Sequence, residues 1–453
     1  MEYNTQTYDR LLADLFEKHP TVQKVGFGAG AYKPGLAGME AFDAALGQPW
    51  RKFKTIHVAG TNGKGSVSSM LAAALAATGL RVGLYTSPHL IDFRERIKII
   101  SSLGSESLSA ETVSTLGHVR GRGPRTAWEG WSEAEVSAER DSLPSSEMIP
   151  KEAVFAFLTE QNLSGLSFFE ITTGMAFWWF AEQEVDAAVI EVGLGGRLDS
   201  TNIILPELSV ITSIGLDHCA MLGGTRAEIA FEKAGIFKPG VPALVWGWDG
   251  QTGPVFESHA AEVPCPLFFA EEFDTEDIEL DLTGPCQAVN LRTVLAALEL
   301  LGIDADRDAL ARTARITGFR GRWERLLPEP ETICDIGHNP AALQLNFERL
   351  TALGRPLFIV YGVMADKDLD GIAPLMPGGA EYFLVAPATS RSLPVAALEE
   401  RLSKLRPDIR ACAAPSVADG VKMAVKKASG VPGSLVYIGG STFVVAEAVE
   451  LFK

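Results

Sequence analysis

Short runs of β-branched and other apolar residues recur along the chain at 54–59, 81–86, 186–192 and 208–214, with helical segments between them. A second series falls at 332–335, 356–361, 381–386 and 434–438. The runs are continuously apolar rather than alternating, as in strands covered on both faces, so they predict parallel sheets connected by helices. Two helices stand out: Met70-Leu-Ala-Ala-Ala-Leu-Ala-Ala77 is rich in strong helix formers and closes at Gly79, and 290–301 is apolar at helical spacing. After the second helix, Thr317-Gly-Phe-Arg-Gly-Arg322 reads as a hinge at 318–322 between an α/β domain over residues 1–317 and a smaller one over 323–453. Residues from about 101 to 146 break the pattern, being rich in Ser, Gly, Glu and Arg. They predict a surface insertion, partly disordered, in which Trp128 and Trp131 serve as local anchors. No internal repeat is visible.

The first strand runs directly into Gly60-Thr-Asn-Gly-Lys-Gly-Ser66 and the helix that follows. Gly60, Gly63 and Gly65 let the backbone turn tightly, and amide groups there and in the first helical turn can point at phosphate oxygens, with Lys64 adding charge. Ser66 is the expected helix cap. The loop departs from the standard P-loop, which needs Gly where Val58 stands and Ser or Thr where Gly65 follows Lys64. The expected fold class is therefore α/β, with an N-terminal P-loop-type parallel-sheet ATPase domain and a smaller C-terminal Rossmann-like α/β domain. Ligands of such sheets sit beyond the carboxyl ends of the strands. Ser87, Glu191 and His218 arrive at that edge, where a hydroxyl, a carboxylate and an imidazole can hold a divalent cation against phosphates.

At 453 residues the chain predicts two or three domains, and 47% apolar with 21% charged residues is ordinary for a globular enzyme. The formal charge of −17 argues against nucleic acid or anionic membrane as a partner. A start without a basic, apolar leader and the lack of a membrane-length apolar run lead us to expect a cytoplasmic protein. Five scattered cysteines indicate neither a disulfide framework nor a zinc site.

Val58-Ala-Gly-Thr-Asn-Gly-Lys-Gly-Ser66, Tyr85-Thr-Ser-Pro-His-Leu90, Val189-Ile-Glu-Val-Gly-Leu-Gly-Gly-Arg-Leu-Asp-Ser-Thr-Asn202, Glu232-Lys-Ala-Gly-Ile236 and Asp335-Ile-Gly-His-Asn-Pro340 together resemble folylpolyglutamate synthase/dihydrofolate synthase, a branch of the Mur ligase superfamily. The likeness runs in the same order over nearly the whole chain, apart from the insertion. It implies ATP-dependent addition of L-glutamate to 7,8-dihydropteroate and to folates through an acyl phosphate. By the same resemblance, Thr61, Asn62, Gly63, Lys64, Gly65 and Ser66 bind ATP phosphates, and Ser87, Glu191 and His218 approach one or two Mg²⁺ ions. Lys233 matches a carbamylated lysine. Asn290 matches the adenine contact, Arg322 and Asp335 match further nucleotide contacts, and His338 and Ser441 serve the glutamate and phosphate side. Leu166, Ser167, Phe168, Phe169, Leu198, Asp199, Ser200 and residues 33–36 match the dihydropteroate pocket. Lys64, Lys233 and His338 are the catalytic candidates, and a monomer is expected. Gly337 stands where alanine is more usual, and Cys286 where an aromatic residue or histidine is commoner. A cell-wall Mur-type amino-acid ligase is the alternative within the fold, and a nucleotide-dependent switch the alternative outside it.

Overall fold

A computed structural model describes residues 3–19, 35–102, 143–274 and 277–453. The first sheet comprises β1 (Lys54–Ala59), β2 (Val82–Tyr85), β3 (Ile97–Ser101), β4 (Ser145–Met148), β5 (Ala187–Glu191), β6 (Leu208–Ile211), β7 (Ala243–Val245) and β8 (Leu267–Phe269). Its order is β4-β3-β2-β5-β1-β6-β7-β8, and β2, β5, β1, β6, β7 and β8 run parallel while β3 and β4 add antiparallel. The second sheet comprises β9 (Glu324–Pro328), β10 (Glu331–Cys334), β11 (Leu357–Tyr361), β12 (Glu381–Leu384), β13 (Arg410–Ala413) and β14 (Leu435–Gly439). Its order is β13-β12-β11-β14-β10-β9, parallel except for β9. All eight apolar runs are strands, most trimmed by a residue or two at their ends.

Helices cover both faces of the first sheet. The helix Lys64–Ala77 packs its alanine-rich length against Ile56, Val58, Val189 and Val210 on one face, and Phe168–Glu182 presents Phe177 and Phe180 to the other. Small side chains let the first helix lie close to the sheet, and all but two of its fourteen residues are buried. Its N-cap is Gly63 at φ 90°, which corrects the expected Ser66 cap: Lys64 and Gly65 already lie inside the helix, and Ser66 is buried in its first turn. The helix expected at 290–301 begins earlier, spanning Gln287–Leu300.

The expected insertion is corrected at its far end, where β4 pairs antiparallel with β3 and brings Ser101 opposite Ser145. Residues 103–142, with Trp128 and Trp131, lie outside the described residues, as do 33 and 34. The hinge expectation meets a sharp bend: Gly318 and Gly321 have φ of 61° and 72°, between the helix Thr313–Thr317 and β9. Lys98 of β3 donates from Nζ to the Thr317 carbonyl at 2.7 Å, holding the end of that helix through its unpaired carbonyl. Among the described residues no helix is long and apolar enough to cross a membrane.

Candidate active site between the two sheets

The loop after β1 is built around absent side chains. A Cβ on Gly60 would fall 1.7 Å from Thr212 Oγ1, one on Gly63 would fall 2.4 Å from Asn290 Oδ1, and one on Gly65 would fall 2.8 Å from the Phe319 ring. With φ at 151° and 90°, Gly60 and Gly63 also hold backbone angles that L side chains rarely adopt. Thr61 fastens the loop to β6's outgoing segment, donating from Oγ1 to the Gly215 carbonyl and accepting from the Gly215 amide, each at 3.1 Å. Lys64 Nζ curls over the loop to the carbonyls of Gly60 (3.1 Å) and Thr61 (3.2 Å).

Beside this cradle, Ser87 follows β2 and Glu191 ends β5, where the Ser87 amide donates to Glu191 Oε2 at 3.0 Å. Burial pushes the Glu191 carboxyl up, against the opposing pull of Lys64 and Arg322. His218 sits at φ 53°, and burial brings its pKa down to about 4 despite neighbouring Asp217, which leaves a neutral imidazole at physiological pH. A hydroxyl, a carboxylate and a neutral ring nitrogen are donor types that a hard divalent cation accepts, while among the described residues no three His, Cys, Asp or Glu side chains converge as a metal cluster. Lys233, expected from its motif, lies near the end of the helix Arg226–Ala234 and is 4% exposed. Burial first, and Lys64 second, bring its pKa down to about 7.

Across the cleft, the second sheet supplies side chains from its strand ends and helix starts. Asn339 caps the helix Pro340–Ala352, and Ser441 caps Thr442–Glu450. Asn339 Nδ2 donates to Asn62 Oδ1 at 2.9 Å and Asn62 Nδ2 donates back at 3.3 Å, a reciprocal amide pair between the phosphate loop and the second sheet. Asp217 is the hub of this junction. It accepts from Lys367 Nζ at 2.8 Å and from Asn339 Nδ2 at 3.2 Å, with His338 Nε2 3.6 Å away. Burial alone would raise its carboxyl; His338, His218 and Lys367 overcome that and hold it far below the usual carboxylate range.

A cavity of about 310 Å³ is lined by Thr61, Lys64, Ser87, His218, Lys233, His338 and Ser441, while Glu191 and Asn339 lie outside its lining. Its apolar end is walled by Phe168, Phe169 and Leu198, with Ser167, Asp199 and Ser200 beside them. Leu166 packs behind against the helical core and does not line the cavity. Asn290, Arg322 and Asp335 also stay outside it. Asn290 instead abuts Gly63, and Arg322 stacks its guanidinium 4.7 Å from the Phe319 ring that covers Gly65, so both reach the phosphate loop from behind. Asp335 spends both oxygens within its own domain, accepting from the amides of Trp323 (3.0 Å) and Gly337 (2.8 Å) and from Asn346 Nδ2 (2.7 Å).

Sequence reasoning missed Asp217, Lys367, Arg391 and, at the apolar end, His89 and Arg96, all of which line the cavity. Arg96 donates to His89 Nδ1 at 2.8 Å and lies 5.2 Å from the Phe168 ring. Asp217 directly precedes His218, and Lys367 follows β11 within Gly362-Val-Met-Ala-Asp-Lys367. The rule of looking just beyond strand ends, applied to both sheets, would have found these two.

A glycine-rich anion loop facing a second α/β sheet across one cleft defines a ligase of the Mur type, and the model of the Mur ligase, glutamate ligase domain matches residues 321–442. The dihydrofolate synthase/folylpolyglutamate synthase of Haemophilus influenzae is 31% identical over 86% of this chain and 87% of its own length. The protein of the same description from Bacillus subtilis is 33% identical over 74% of this chain and 76% of its own. Among solved structures, Escherichia coli FolC in complex with DHPP and ADP is 25% identical, with a TM-score of 0.74 over 98% of this chain and 97% of that one. Mycobacterium tuberculosis folylpolyglutamate synthase complexed with ADP is 28% identical, with a TM-score of 0.75 over 99% and 98%. The chain belongs to the dihydrofolate synthase/folylpolyglutamate synthase family.

Proposed function

We propose that the protein joins L-glutamate to 7,8-dihydropteroate, and further glutamates to folates, at the expense of ATP. The observation that carries this reading is the single cavity that brings Lys64 and the phosphate loop, an aromatic wall at Phe168 and Phe169, and the polar cluster Lys367, His338 and Ser441 together. A carboxylate is a poor acyl donor because oxide would have to leave. Transfer of the γ-phosphoryl group from ATP gives an acyl phosphate and ADP; attack by the glutamate amine then forms the amide and releases phosphate. Lys64 and the loop amides stabilise charge on the transferred phosphoryl oxygens, and Arg322, half-buried behind the loop, adds to that field. The reading divides the chain into domains 1–317 and 323–453 about a hinge at 318–322, so that the two sheets close over the acyl phosphate and exclude water. Ser441, at the start of a helix, and His338 face the incoming amino acid, where the helix N-terminus favours a carboxylate.

Ser87, Glu191 and His218 would hold Mg²⁺, which supplies charge neutralisation to the phosphates when bound. Lys233 fits carbamylation because a pKa brought down to about 7 leaves much of its amine neutral at neutral pH, the form that adds to carbon dioxide. Asn290 serves the adenine side, and Asp335 keeps Trp323 and Gly337 in place beside it. The apolar wall favours a flat pterin over the nucleotide-linked peptide of a cell-wall ligase, and a cytoplasmic monomer completes the reading. ADP release measured with glutamate plus dihydropteroate, tetrahydrofolate or a UDP-linked peptide tests it: the first two should stimulate release, and stimulation by the third alone would overturn it.

A further inference from the structure

Beneath the pterin side of the cavity lies a buried hydrogen-bond chain that the reaction itself does not use. His57, in the middle of β1, is fully buried; its Nε2 lies 2.8 Å from Thr201 Oγ1, and Thr201 Oγ1 donates to Asp199 Oδ1 at 2.5 Å. Asp199 also accepts from the Thr201 amide (3.0 Å) and, through Oδ2, from the Leu194 amide (2.8 Å). That one carboxylate closes residues 193–201 into a compact wall, from which Gly193, Leu194, Leu198 and Ser200 face the cavity. The wall also seats an aromatic ring, since Phe169 lies where a Cβ on Gly193 would be, 2.4 Å from its nearest carbon.

The proton order in this chain follows from counting donors. Asp199 is surrounded by donors and therefore accepts. The single Thr201 hydroxyl proton goes to it, and the Thr201 oxygen must accept from His57 Nε2–H. His57 is then the neutral tautomer with a bare Nδ1, and Nδ1 indeed has no partner among the described residues. The reverse order would leave a buried N–H without an acceptor, which is the costlier defect. We propose that His57 is a positioning residue: through Thr201 it fixes the orientation of Asp199, and with it the wall and the Phe169 ring that receive the pterin. The assignment rests on the pterin reading above.

Direct binding of dihydropteroate and steady-state kinetics test it, with nucleotide affinity as the internal control. His57→Leu and Thr201→Val are each expected to raise the Kd and KM for dihydropteroate by about tenfold, the loss of one buried hydrogen bond in the chain that ends on the Asp199 carboxylate. Affinity for ATP and kcat at saturation should stay within about threefold of the parent, because neither residue touches the phosphate loop. The double variant should be no worse than Thr201→Val, while His57→Gln and Thr201→Ser, which restore a donor and a hydroxyl, should recover most of the loss. Nitrogen-15 spectra of the parent should show His57 as the Nε2–H tautomer. Equal losses of pterin and ATP affinity in step with melting temperature would make the chain merely structural and overturn the proposal. If the parent binds dihydropteroate but Thr201→Val leaves that affinity unchanged, the positioning role alone fails. A parent that binds no dihydropteroate would overturn the substrate reading and this role with it.

Discussion

The two sheets meet the same cavity by different means. The first offers backbone: a loop of glycines so closely packed that side chains at 60, 63 or 65 would collide with Thr212, Asn290 or Phe319. The second offers side chains on the first turns of helices, Asn339 and Ser441 as caps, with Lys367 just beyond a strand. Backbone amides suit phosphate, which spreads charge over several oxygens, and they need a loop whose shape is fixed in advance. Discrete side chains suit a small amino acid that must be recognised group by group. On the proposed function, specificity for the incoming acid resides where single substitutions act individually, and phosphate binding where they disrupt a whole turn.

The largest effect that sharpens this contrast is expected at Lys64, the one cationic side chain between Gly60 and Ser66. Lys64→Ala should lower turnover by about 10²–10³-fold, as for removal of one preorganised group at a charged transition state. Its melting temperature should stay near that of the parent, and unchanged ADP release would remove the cradle from the mechanism.

Lys233→Ala should cost about 10²-fold in turnover and regain part of it with a short exogenous carboxylate. The lysine also carries a stability signature. Its folded-state value is lowered from 10.5 to about 7, so between these values the unfolded chain binds the proton and the folded chain does not. Stability from this group therefore rises with pH from about 7 towards 10.5, and its burial cost is fully present below 7. In carbon-dioxide-free buffer Lys233→Met should melt above the parent at pH 6, with the difference shrinking by pH 10; a constant difference would refute the shift.

A smaller effect is expected where the two means of binding touch. A double-mutant cycle on Asn62→Ala and Asn339→Ala should give a coupling of about 0.5–2 kcal/mol in kcat/KM for glutamate. Additive losses would mean that loop and caps work independently. Smallest of all should be the replacement of residues 103–142 by a short Gly/Ser link. Ser101 and Ser145 are already partners across β3 and β4, so the closure is local, and ATP turnover should stay within about threefold. Selective loss of dihydropteroate use would give the segment a role over the pterin end.

What the chain disclosed in advance followed the same division. The eight continuous apolar runs are strands because both of their faces are covered, and their short length and β-branched residues set them apart from the buried, alanine-rich helix Lys64–Ala77. β4, as Ser-Ser-Glu-Met, and β9, as Glu-Arg-Leu-Leu-Pro, lie at sheet edges and are half exposed, so they carry no such signature. β7 and β8 are only three residues long. The phosphate loop is contiguous and could be read directly. Asp217 and Lys367 stand 150 positions apart, and Asn62 and Asn339 stand 277 apart, so their meeting is a product of packing between sheets that no local pattern announces. Ser66 looked like a cap because serine favours caps, but Gly63, free to adopt φ 90°, ends the turn three residues sooner.

The crowding around Gly60 and Gly63 has a consequence for any experiment that selects variants of this loop. A library randomised from 60 to 66 and screened only for folded, soluble protein should already return glycine at 60 and 63, because the neighbours leave no room for another residue. The same screen should be nearly indifferent at Lys64, whose bonds run only to carbonyls of its own loop. A survey by stability and a survey by turnover would thus recover different letters of one motif: the glycines record how the chain packs, and the lysine records what the packing is for.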